Sequence, residues 1–272
     1  MNLHVWRRIV TGIAVTFGLL AFAPPAAAQP KLESSSLGHW RGYWISTIDP
    51  RLQGPVQQFI GTERNRRVHG MLEWNTAAGL LELELDGTTS ASCRFNYVLT
   101  GMGAAEGVRM VINGMHEVGV AMGEYMYFSP GLTDRGLVFL VQDFDGPAPD
   151  ARGHYMGTAT SMLTGLTNEF ALYITHQDMG NFEGFAEAPN TTPFKELGDE
   201  LRFDFDGRID GKGHAWVVGL GLAGIFLVEA RLAQMPDGSR MFTGDYMIFY
   251  LDGSMDEGML ELMMPPNNHV VP

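Results

Sequence analysis

Gly123-Glu124-Tyr125-Met126-Tyr127-Phe128 returns as Gly244-Asp245-Tyr246-Met247-Ile248-Phe249, and a fainter copy stands at Gly184-Phe185-Ala186-Glu187. The leading glycines are 61 and 60 residues apart. A fixed period of this length marks a duplicated supersecondary unit. A second marker keeps the same period: Asp86-Gly87, Asp145-Gly146 and Asp206-Gly207 are 59 and 61 residues apart. Each follows an apolar run, Leu80 to Leu85, Leu137 to Phe144 and Leu201 to Phe205. A third marker opens the unit, at Gly38-His39-Trp40, Gly153-His154-Tyr155 and Gly213-His214-Ala215-Trp216. His39 precedes Gly70 by 31 residues, and His154 and His214 precede Gly184 and Gly244 by 30 each. In the remaining copy Arg94 stands 29 residues before Gly123, in the place of the histidine.

Each copy therefore reads as four strands: a Gly-His strand, an apolar strand such as Ile225-Phe226-Leu227-Val228, the Gly-x-Tyr-Met strand, and a fourth ending in Asp-Gly. The copies run over 39–87, 94–146, 154–207 and 214–264. Short spacings and Asp-Gly pairs predict hairpins, hence antiparallel pairing. No stretch has helical periodicity with caps. Copies one and three place Glu73 and Glu187 three residues after the glycine, whereas copies two and four place Glu124 and Asp245 directly after it. That alternation predicts a two-copy unit duplicated once, with halves at 39–146 and 154–264 joined by Gly146-Pro147-Ala148-Pro149-Asp150.

The predicted fold class is all-β: four tandem four-stranded repeats arranged as two packed eight-stranded barrels. A four-bladed propeller and a single large barrel are the alternatives. Strands such as Tyr246-Met247-Ile248-Phe249-Tyr250 are apolar on both faces, whereas a barrel wall facing water alternates. Something must pack on both sides of them. Gly38-His39-Trp40 and Gly42-Tyr43-Trp44 resemble the Gly-x-Trp opening of lipocalin-like and avidin-like barrels. The resemblance covers one strand and implies a barrel around a small apolar ligand.

The chain of 272 residues carries a formal charge of −13. Residues 1–28 read as a secretory signal: Arg7-Arg8, the apolar run Ile9 to Ala23, then Ala26-Ala27-Ala28. Its removal takes away two arginines and leaves −15. The expected location is periplasmic or secreted, with no membrane span after cleavage. So acidic a surface argues against nucleic acid and anionic membranes, which need Lys and Arg. The one cysteine, Cys93, rules out an intrachain disulfide.

The candidate chemistry follows the repeat. His39, Arg94, His154 and His214 occupy one position of the unit, where imidazoles could bind or act as acid–base groups near neutral pH. Glu124 and Asp245 share a strand face with apolar neighbours, where burial would raise a carboxyl pKa. His116-Glu117 and His176-Gln177-Asp178 read as solvated hairpin tips. The methionines read as strand core and not as thioether copper ligands, which cluster with His at short spacing. Gly-x-Ser-x-Gly, His-Glu-x-x-His, phosphate-cradling loops and paired cysteines are all missing, so no cofactor or metal is expected.

Three readings remain. The first is a barrel protein binding a small, mostly apolar molecule in an aromatic- and Met-lined cavity, with His39, Trp40, Trp44, Arg94 and Tyr125 as ligand contacts. The second is a cofactor-independent isomerase, cyclase or lyase using His154, His214, Glu124 and Asp245. The third is a structural or surface-interaction protein that self-associates as a homo-oligomer.

Overall fold

The computed structural model describes residues 35–49, 51–190 and 199–266. Sixteen strands form two closed antiparallel barrels, each a simple up-and-down meander. Barrel 1 holds β1 (Gly38–Ser46), β2 (Gln53–Arg64), β3 (Arg67–Thr76), β4 (Gly79–Thr89), β5 (Arg94–Gly101), β6 (Arg109–Glu117), β7 (Val120–Ser129) and β8 (Leu132–Gln142). Barrel 2 holds β9 (Gly153–Ser161), β10 (Thr167–Asp178), β11 (Asn181–Pro189), β12 (Glu200–Ile209), β13 (His214–Gly221), β14 (Gly224–Gln234), β15 (Arg240–Tyr250) and β16 (Met255–Met264). β8 closes on β1 and β16 closes on β9, so neither sheet has an open edge. The propeller and the single large barrel are excluded. The signal reading at 1–28 lies outside the described residues, and among those described no helix is long and apolar enough to cross a membrane.

Each copy supplies four consecutive strands, and the alternation of copies is visible in the backbone. In copy one the β2–β3 register slips between Ile60 and Thr62, beside Gly70. In copy three the β10–β11 register slips between Ile174 and His176, beside Gly184. The even copies run without a slip past Gly123 and Gly244. The bulge therefore belongs to the odd copies, as a duplicated pair requires.

The Asp-Gly pairs mark the period but are not turns. Asp86-Gly87 lies inside β4, Asp206-Gly207 inside β12, and Asp145-Gly146 in the connection between the barrels. A side chain at Gly87 would overlap the Tyr97 ring, and one at Gly207 the Phe182 ring. The glycine recurs because an aromatic ring of the neighbouring strand lies across it. The tight turns are elsewhere. Asn65-Arg66 joins β2 to β3 with both φ angles positive, at 52° and 64°. That is the type I′ signature, written without glycine.

Lumen and wall alternate along every strand. The barrel 1 lumen is filled by Trp40, Trp44, Trp74, Phe95, Tyr97 and Tyr125 among others, all buried. The two-faced strands are explained by the packing of one barrel on the other. Tyr246, Ile248 and Tyr250 face the barrel 2 lumen, while Met247 and Phe249 face outward. Phe249 meets Phe139 of barrel 1 with ring centroids 5.3 Å apart. β1 and β8 lie against β12, β13 and β14, and Ile45, Phe139, Val141, Val218 and Leu227 are outward-facing yet buried. Arg41 spans the seam, donating from Nε to Asp143 and from Nη1 to Asp206, each at 2.8 Å.

A candidate ligand cavity in barrel 2

The two barrels carry the same polar frame at one end. In barrel 1, Ser46 Oγ donates to Asp134 at 2.6 Å and Tyr125 OH donates to the other Asp134 oxygen at 2.7 Å. In barrel 2, Ser161 Oγ donates to Asp256 at 2.6 Å and Tyr246 OH to its other oxygen at 3.0 Å. Each serine oxygen also accepts from two backbone amides of the following turn, Ile48 and Asp49 or Leu163 and Thr164. At the far end Trp40 Nε1 donates to Ser36 O and Tyr155 OH to Ala151 O, each at 2.9 Å across four residues. These pairs fix the equivalence of the barrels residue by residue.

That equivalence exposes a large difference. Counting from Ser46 and Ser161, Trp44 corresponds to Ala159. Counting from Gly70 and Gly184, Trp74 corresponds to Ala188. In barrel 1 the two indoles stack with centroids 4.7 Å apart, and Tyr125 sets its edge against both. Above them the β5–β6 connection forms a 3-10 turn, Gly103–Ala105, whose Ala105 is buried with Val108 in the barrel core. The matching β13–β14 connection is only Leu222-Ala223. Among its described residues barrel 2 thus lacks both the stacked pair and the plug.

An open pocket fills the vacated space. The centres of water-sized molecules have ≈ 60 Å³ of room in it, within a gap of ≈ 680 Å³ that runs out to its solvent-filled mouth. Phe170, Phe203, Phe226, Val228, Ile248 and Leu260 form its apolar wall, with Ala159 and Ala188 where the indoles would be. A narrow, wholly apolar crevice lies between Leu172, Val217, Phe242 and Leu262, with Phe170, Val228 and Leu260 shared between the two. Polar groups gather at the strand ends: Asn168 and Glu169 on β10, Tyr246 and Tyr250 on β15, and Asp256 on β16. Burial pushes the Tyr250 phenol up to about 12, with Asp256 and Asp252 adding to it. Burial likewise raises Tyr246, and Asp256 reinforces the shift. Both phenols therefore stay protonated donors through the physiological range. The lining is aromatic and aliphatic but contains no methionine.

The residues singled out in the sequence lie elsewhere. Trp40, Trp44 and Tyr125 fill barrel 1. His39, Arg94, His154 and His214 all point out of their barrels, on β1, β5, β9 and β13, and do not meet at an axis. His39 Nδ1 is 2.7 Å from Asp143, whose hydrogen bond raises the imidazole pKa. His154 stacks on Tyr173 at 4.1 Å, and burial lowers its pKa. His214 is 3.5 Å from Asp210. Arg94 and Glu124 are exposed, and Asp245 sits beside Glu229 in the β14–β15 pairing. The acid acting on His154 is Glu187. Several methionines expected as core are instead exposed on outer walls, among them Met71, Met126, Met156, Met259 and Met263.

The pocket residues escaped notice because they carry no motif. The signal was present as a size change, since aligning the halves on their serines and glycines sets Ala159 and Ala188 against Trp44 and Trp74. No known protein family matches the chain, and no curated protein is similar to it in sequence.

Proposed function

We propose that the chain is an exported binding protein that holds a small, mostly apolar molecule in the lumen of barrel 2, with barrel 1 as its filled scaffold. The observation that carries the reading is the replacement of the buried Trp44–Trp74 stack by Ala159 and Ala188 at the wall of an open pocket. A close-packed interior leaves few voids larger than a water molecule, and concave apolar sites with a few convergent polar groups are the usual form of ligand pockets. The leader-like residues 1–28 support export to the periplasm or the exterior. Ala159→Trp combined with Ala188→Trp restores the barrel 1 pattern and should abolish binding of the neutral fluorescent probe N-phenylnaphthylamine. Circular dichroism should remain that of the wild type. Undiminished probe binding by a folded double variant would refute the placement.

A further inference from the structure

The head group of the ligand can be inferred from the carboxylate that the missing indoles uncover. Asp134 is 6 % exposed, sealed below Tyr125 and the tryptophan pair. Its counterpart Asp256 has the same two hydroxyl donors but lines the open pocket. Ser161 and Tyr246 are neutral donors, so they orient the carboxylate without cancelling its charge. Among the described residues the lining contains no Lys or Arg, and no ion pair engages Asp256. Glu169 stands at the rim on the exposed outer face of β10, opposite to Phe170. The aromatic side chains of Phe170, Phe203, Phe226 and Tyr250 line the same space.

We propose that the pocket selects a cationic amphiphile, an apolar body bearing one protonated amine or quaternary ammonium, and discriminates against carboxylate ligands such as fatty acids. This rests on the reading of the barrel 2 lumen as the binding site. Three features converge on a cation. A carboxylate at a pocket wall that no described Lys or Arg compensates attracts an ammonium through a charge-assisted hydrogen bond. Aromatic faces attract the same charge through their quadrupole. The acidic chain as a whole repels anions. An anionic head would meet the like charge of Asp256, a form of specificity built from repulsion.

The test compares three probes that share a ring and differ only in the head: naphthylmethylamine, naphthylmethanol and naphthoate. Titration calorimetry at neutral pH should rank the amine tightest, at least about tenfold above the alcohol, with naphthoate weakest. Asp256→Asn should erase the advantage of the amine over the alcohol, while Asp134→Asn removes the equivalent buried bonds in barrel 1 and should leave the ranking intact. If Asp256→Asn does not fold, raising salt from about 0.05 to about 0.5 M should narrow the same gap in the wild type about twofold or more, and a gap unchanged by salt would count against the carboxylate. Naphthoate binding as tightly as the amine would overturn the cation assignment yet leave the pocket standing. Loss of all three probes in Ala159→Trp/Ala188→Trp secures the pocket independently of the head. Equal binding of all three probes by that variant would overturn the pocket itself.

Discussion

Trp44→Ala should be among the most damaging single substitutions in the protein. The side chain is 4 % exposed, stacks on Trp74 at 4.7 Å and donates from Nε1 to Asn75 O at 2.9 Å. Truncating a buried tryptophan costs about 3–5 kcal/mol through lost transfer energy and the cavity left behind. The orphaned Asn75 carbonyl adds about 1 kcal/mol where water does not reach it. Trp44→Phe keeps a ring against Trp74 but loses the indole donor, and should cost about 1–2 kcal/mol. With a urea m-value of roughly 3 kcal/mol/M, the alanine variant should lower the unfolding midpoint by about 1.3–2 M. Far-ultraviolet ellipticity would report the unfolding, since tryptophan fluorescence itself is altered by the change. A midpoint shift below about 0.3 M would mean that the indole sits in a lumen already hollow. The claim that barrel 1 is filled would then fail, and Trp40, Trp44 and Tyr125 would return as candidate ligand contacts.

Three further outcomes are expected. Gly207→Ala should destabilise by about 1–3 kcal/mol, because the new methyl overlaps the buried Phe182 ring; in the same urea titration Asp86→Ala, which changes a 61 % exposed side chain, should cost under about 1 kcal/mol. A neutral Gly207→Ala would put the Asp-Gly pairs back in turns. The hydrogen bond that the His39 imidazole donates to Asp143 raises its pKa, so the stability this pair adds is complete below about 6.5 and fades as pH rises through the raised value; an imidazole titrating below 6.5 by NMR would contradict the contact. Arg41→Met should lose about 1–3 kcal/mol, less than a fully buried pair, because Arg41 and Asp206 are 19 % and 18 % exposed. Adding Asp206→Asn should recover part of that loss in thermal unfolding, and a purely additive double variant would dismiss the bridge.

The architecture was legible because repetition survives divergence at positions where geometry is strict. Gly70, Gly123, Gly184 and Gly244 recur since the preceding strand's backbone approaches each of them too closely for a side chain. The two-faced Tyr246–Tyr250 strand demanded cover on both sides, and only paired barrels or blades supply it. The meaning of the markers was less legible. Asp-Gly is the strongest short-range hairpin signal, yet here each strand-bound glycine yields to a ring on the neighbouring strand, Tyr97 for Gly87 and Phe182 for Gly207, which no local rule detects. The repeated histidines drew notice as the rarest titratable group in the motif, but strand parity alone places them outward, opposite to Trp40, Phe95, Tyr155 and Ala215. The pocket escaped because it is written in what two positions lack. An alanine signals nothing until its duplicate is known to be a buried tryptophan.

The pairing of a filled barrel with a hollow one has a mechanical consequence. Emptying a lumen removes dispersion contacts from every residue that lines it, and the wall must be held by something else. For β12, β14 and β15 that support is barrel 1. Phe203, Phe226, Val228 and Ile248 face the pocket from these strands, while Leu227, Met247 and Phe249 on their outer faces are buried or half-buried and Phe249 rests on Phe139. The opposite wall has no such backing. Ala159, Phe170 and Leu260 face the pocket from β9, β10 and β16, and the outer faces of β9 and β16 present Met156, Met259 and Met263 to solvent. The pocket therefore has one buttressed side and one free side. Any widening of the lumen around a ligand falls on β9, β10 and β16, so hydrogen exchange of their amides should slow on binding, while those of β14 stay protected with or without it.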